Sequence, residues 1–123
     1  MHVAFRPFGL LLLSLLLFGV AACRIFAPGV LVEVRNESGL EIQDLEVAYT
    51  GGVLTTTALK HGGVLKRKII PHGESSLAIG FTLFGKERQT HKVEVYFEPN
   101  YTGRVVITIG AKGQVAWKDE IRI

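Results

Sequence analysis

Few side chains in this 123-residue chain can do chemistry. They are the single cysteine Cys23, the histidines His61, His72 and His91, and the group His72, Glu74, Ser75 and Ser76 within IPHGESS. A serine nucleophile needs a base within reach and a further group that orients the base. IPHGESS supplies the residue types in one short stretch. A turn explains the same residues more simply: Pro71 and Gly73 bend the chain, and Ser75 and Ser76 lead into a strand starting at Leu77. The sequence holds neither a Gly-x-Ser-x-Gly elbow nor a glycine-rich phosphate loop. A metal site is the second candidate chemistry. His61 and His72 each lie in a glycine-bearing turn, and such turns can meet at one end of a sandwich, with Glu74 nearby. None of these residues has the short spacing of metal motifs. Solvated turn histidines are the simpler account, and His91, opening a strand, is expected to be exposed. The sequence therefore predicts no catalytic residue, no metal and no cofactor. A ligand or metal carrier built on the loops of His61 and His72 is the alternative. A small hydrolase around His72, Glu74 and Ser75 ranks third.

Cys23 belongs to a different kind of chemistry. It follows MHVAFRPF, which carries Arg6 and no acid, and the apolar run Gly9 to Ala22, whose only polar side chain is Ser14. That run falls short of the ~20 residues needed to cross a ~30 Å hydrocarbon layer. It fits the apolar core of a secretory signal followed by small residues at a cleavage point. An uncleaved membrane anchor is the rival reading. Cys23 has no second cysteine to pair with inside the chain. No His, Asp or Glu lies between Cys23 and Val32 to complete a zinc site. A nucleophilic role would need a base and a pocket at the extreme end of the processed chain. An intermolecular disulfide remains as a lesser option.

Val20-Ala21-Ala22-Cys23 resembles the lipobox of bacterial lipoproteins: an aliphatic residue, two small residues, then cysteine. The resemblance covers residues 1–23 alone. It implies cleavage between Ala22 and Cys23, a diacylglyceryl thioether on Cys23 and acylation of the new amino terminus. Each buried methylene contributes about 0.8 kcal/mol, so two or three chains make a lasting anchor. By the same resemblance, Arg24 rather than Asp after the cysteine implies the periplasmic face of the outer membrane. The inner membrane, or the single membrane of a one-membrane cell, is the alternative.

The elements that must position everything else are strands. Val30, Val32 and Val34 alternate with Leu31, Glu33 and Arg35. Similar period-two runs carry Leu45, Val47 and Tyr49, then Leu77, Ile79, Phe81 and Leu83. Val93, Val95 and Phe97 follow, then Val105, Ile107 and Ile109, and last Val115, Trp117, Ile121 and Ile123. Such alternation in β-branched and aromatic residues marks half-buried strands. Glycine, proline and asparagine clusters punctuate the runs about every ten residues. VLTTTAL (53–59) and VLKRKII (64–70) read as edge strands, the second guarded by Lys66, Arg67 and Lys68. The expected fold is all-β: an antiparallel sandwich of seven or eight strands, immunoglobulin- or fibronectin-like in architecture. The domain plan is a signal peptide over 1–22, a lipidated tether over 23–29 and the sandwich over 30–123. Asp119 breaks the last alternation, and a β-bulge over 118–120 or a salt bridge to Arg104 or Arg122 would accommodate it.

Charge narrows the partners. Loss of residues 1–22 leaves 13 basic against 11 acidic side chains, too even a balance for a nucleic-acid binder. Acids crowd residues 33–46 and bases crowd residues 60–92, which could form opposite poles, the basic one suited to anionic head groups or an acidic partner; a solvated mixed-charge surface accounts for them at least as well. Six residues, Arg24 to Gly29, reach about 20 Å when extended, which brings Ile25 and Phe26 to the membrane surface. Taken together, these features predict a non-catalytic, lipid-anchored accessory module of the cell envelope. Its contacts would be the membrane, through Cys23, Ile25 and Phe26, and a protein partner added at the strand carrying Lys66, Arg67 and Lys68.

Overall fold

The computed structural model describes residues 28–123. Eight strands form two four-stranded sheets: β1 (Gly29–Asn36), β2 (Ile42–Tyr49), β3 (Gly52–Leu59), β4 (Val64–Ile69), β5 (Ser75–Leu83), β6 (Arg88–Phe97), β7 (Thr102–Ile109) and β8 (Val115–Arg122). The orders are β4-β1-β7-β8 in one sheet and β3-β2-β5-β6 in the other. All pairs are antiparallel except β1 with β7, which run parallel from Gly29↔Thr102 to Asn36↔Ile109. This is the β-sandwich the alternation predicts, and VLTTTAL and VLKRKII are indeed edge strands.

Period-two patterning places the core. Val30, Val32 and Val34 of β1 and Val105, Ile107 and Ile109 of β7 form the inner face of the first sheet. Ile42, Leu45 and Val47, then Leu77, Ile79, Phe81 and Leu83, then Val93, Val95 and Phe97 form the inner face of the second. Leu65 and Ile69 close one side from β4. Each such side chain contributes about 1.5–3 kcal/mol by leaving water. Among the described residues the fully buried core comes from residues 30–109, and both sheets lie within 29–122.

Two expectations are corrected along β8. Trp117 is 38% exposed and Ile123 94% exposed, while Val115 and Ile121 are only partly buried. The strand is the outermost of its sheet, so its inward phase has little opposite it. For the same reason Asp119 needs no bulge. The β7–β8 ladder runs without a shift, with Val105↔Asp119, and the Asp119 side chain is simply exposed. Arg104 pairs with Glu120 instead, at 3.7 Å.

The turns gather at two ends. The Gly29 end holds the loops 50–51, 70–74 and 98–101: the Gly29 amide donates to the Tyr101 carbonyl, and the His72 amide to the Thr50 carbonyl. The Asn36 end holds 37–41, 60–63, 84–87 and 110–114: the Glu37 amide donates to the Ile109 carbonyl, and the Phe84 amide to the Glu41 carbonyl. Strands of eight residues at about 3.3 Å each separate the ends by roughly 25 Å.

Candidate functional site

The turn histidines do not meet. His61 lies at the Asn36 end, where its Nδ1 accepts from the Gly39 amide at 3.0 Å. His72 lies at the Gly29 end with its ring packed over Gly51. A carrier site shared by both is thus ruled out by strand direction. Among the described residues, no group of three His, Cys, Asp or Glu side chains is disposed to hold a metal. His91 is half-buried rather than exposed. It stacks on Phe81 at 5.8 Å between ring centres and shares a 3.1 Å hydrogen bond with Gln89 Oε1.

Ser75 has no free hydroxyl to offer as a nucleophile. It is buried, its Oγ donates to the Ser76 carbonyl at 2.7 Å, and it accepts from the Thr50 amide at 3.0 Å. The Thr50 bond ties the start of β5 to the end of β2, and the Ser76 bond stays within β5. Glu74 sits beside it, and its carbonyl accepts from Thr50 Oγ1 at 2.8 Å. The turn account of IPHGESS is the one the hydrogen bonds bear out.

Around Glu74 the Gly29 end carries an aromatic pair. Tyr96 and Tyr101 meet edge to face at 6.1 Å. Partial desolvation, then the charges of Glu74 and Glu98, push the Tyr96 phenol up to about 12. A hydrogen bond to Glu98 leads the rise at Tyr101. Both phenols therefore stay neutral donors at physiological pH. Tyr96, Ile70 and Ile123 are all more than half exposed at this end. Ala22, Cys23, Ile25 and Phe26 lie outside the described residues.

The β4 edge is basic. Leu65 and Ile69 point inward, Lys66 reaches Glu33 Oε1 at 3.8 Å, and exposed Arg67 donates to the Lys66 carbonyl at 2.7 Å. Lys68 also has a partner in the structure. Glu33 is only 2% exposed, on the outward face of central β1. Arg35 at 3.2 Å, Lys66 at 3.8 Å and Arg104 at 3.9 Å surround it, and Arg104 continues to Glu120. Of the two charge arrangements the sequence allows, the mixed surface is found here rather than opposite poles. Acids of the 33–46 segment are interleaved with bases, since Glu46 also pairs with Arg88 at 3.2 Å. Sheet order causes this by laying β1 between β4 and β7, which carry the cations. Glu33→Ala is expected to lower unfolding free energy by about 1–2 kcal/mol, because the three cations it leaves are half-exposed and partly screened. Urea denaturation reads this directly, and an unchanged midpoint would contradict it.

The fold and these surfaces define a two-sheet, edge-charged β-sandwich. No family model and no curated protein matches the chain. Among solved structures it is similar to an NMR structure of a protein from Eubacterium rectale, at 14% identity and a TM-score of 0.53. The match covers 74% of this chain and 87% of that one. It establishes the likeness of fold alone.

Proposed function

We propose that residues 23–123 form a lipid-anchored envelope protein, held by Cys23 at the periplasmic face of the outer membrane. It acts there as a non-catalytic interaction or accessory module. The observation that carries this reading is the end at which β1 begins. Gly29 lies six residues after Cys23, and the same end exposes Ile70, Tyr96 and Ile123. A tether of about 20 Å holds that end against the bilayer. Aromatic side chains with one polar tip suit the head-group level. The acids Glu74 and Glu98 keep the contact at the interface rather than in hydrocarbon.

The partner surface is the β4 edge. Among the described residues no strand pairs with its outer edge, which suits strand addition, and Lys66 and Arg67 favour an acidic segment. The engaged hydroxyl of Ser75 and the separation of His61 from His72 support a non-catalytic role over the hydrolase and carrier readings.

Two arms test the proposal in cells. Metabolic labelling with a clickable palmitate is expected to mark the wild type and not Cys23→Ser, and label kept by the variant would sink the anchor. A photo-crosslinker at position 67 is expected to capture a defined envelope protein, and recovery of nothing specific would sink the edge-strand role.

A further inference from the structure

The Asn36 end carries a feature that the anchor and the β4 edge do not use. A cavity of about 600 Å³ opens there, lined by Leu40, Leu83, Lys86, Glu87, Arg88, Gln89 and Lys112. The volume falls in the roughly 300–1,000 Å³ range of small-molecule sites. Leu83 is buried at the edge of the core and gives the cavity an apolar wall, extended by Leu40, which is 39% exposed. Phe84, 61% exposed, stands in the adjoining turn. The polar part is cationic. Lys86 comes from the β5–β6 turn and Lys112 from the β7–β8 turn, and neither takes part in an ion pair among the described residues. Arg88 is held in place, pairing with Glu46 at 3.2 Å and donating to the Asp44 carbonyl at 2.9 Å.

Backbone strain marks the same place. Among the described residues, Asp44 and Lys112 are the non-glycine residues with positive φ, at 49° and 60°. Each turns its carbonyl onto a side chain from the start of β6: Asp44 onto Arg88, and Lys112 onto Gln89 at 3.3 Å. Gly113, at φ +80°, packs on the Gln89 side-chain amide, which would have to shift to admit a Cβ there. Strained residues persist where the surroundings hold them, and they gather at ligand sites. Here the Gln89 hydrogen bond holds the Lys112 turn against the β6 wall.

We propose that this cavity binds an amphipathic anion, with an apolar tail on Leu40 and Leu83 and a carboxylate or phosphate head against Lys86 and Lys112. Charge complementarity selects the head, since two lysines line the cavity from separate turns and Glu87, which also lines it, offsets only one of them. The apolar wall selects the tail. The inference stands whether or not Cys23 is acylated.

The test uses the ¹⁵N-labelled protein, with decanoate and octyl phosphate as probes below their micelle concentrations. Both are expected to shift the amides of Leu40, Leu83, Gln89 and Lys112 saturably, and the tighter of the two identifies the head group. Decanol and inorganic phosphate, each carrying half the chemistry, are expected to bind at least about tenfold more weakly. Lys86→Glu combined with Lys112→Asn is expected to weaken both probes by about tenfold or more. Asparagine tolerates the positive φ at 112, and the variant's own spectrum reports its fold. Shifts scattered over the surface would overturn the proposal. So would decanol or phosphate binding as well as the probes, or a folded double variant with unchanged affinity.

Discussion

Asn36→Ala is expected to lower the unfolding free energy by about 3 kcal/mol, a large share of what a domain this size holds. Asn36 is fully buried at the end of β1. Its Nδ2 donates to the Leu40 and Leu59 carbonyls, both at 2.8 Å. Its Oδ1 accepts from the Ser38 amide at 3.0 Å and the Ser38 hydroxyl at 2.7 Å. One side chain thus fastens the β1–β2 loop to the end of β3. Alanine removes all four bonds and leaves a gap where the buried amide stood, with the Leu40 carbonyl keeping only the Ser38 hydroxyl as a donor. Asn36→Asp keeps the shape but sets a carboxylate oxygen against two carbonyl oxygens. Burial and those lone pairs raise its folded pKa above the unfolded value near 3.9. The folded state then binds the proton more tightly, so the damage should shrink as pH falls from 7 toward 4. Urea midpoints of both variants across that range are the measurement. A neutral Asn36→Ala, or an Asn36→Asp whose penalty grows in acid, would contradict it.

Gly103→Ala is the second large effect. Gly103 lies in β7 at φ +115°, where side chains are strained. A Cβ there would also collide with the Glu120 carbonyl oxygen of β8. Both partners are ladder backbone, with Gly103↔Ile121 in register, so neither can yield without unpairing. The expected cost is about 2–4 kcal/mol. It should also be local: amides of β8 near Asp119–Ile121 lose hydrogen-exchange protection while the β1–β7 ladder keeps its own. Uniform loss along both ladders, or none, would refute this assignment of Gly103.

Much of the sandwich was legible because alternation is a local signal. Val30, Val32 and Val34, or Leu77 through Leu83, declare their inner face without knowing their neighbours. The edge role of β4 was legible for the same reason, through lysines in mid-strand. What stayed hidden depends on strand order, which alternation does not encode. Glu33 reads as one of many surface acids until β4 and β7 are known to flank β1. His61 and His72 read as possible partners until strand direction sends them to opposite ends. Trp117 reads as core until β8 is known to be outermost. The cavity at the Asn36 end was hidden most fully. FGKER and GAKG each look like an ordinary basic turn, and nothing in either predicts contact through Gln89 and Lys112. The one hint was a lysine at the apex of both. Asn36 was visible as a turn residue, and its burial was not.

The central place of β1 has a mechanical consequence. It is paired on both sides, antiparallel to β4 over residues 30–35 and parallel to β7 over residues 29–36. With the anchor proposed at Cys23, any drag on the outward turns at the Asn36 end is resisted through this strand. The pull runs along β1, so both ladders bear it together in shear, and no single bond at an end opens first. An edge strand in that position would peel. A tether joined to the middle of a sheet can hold a protein on a surface that is stretched and jostled.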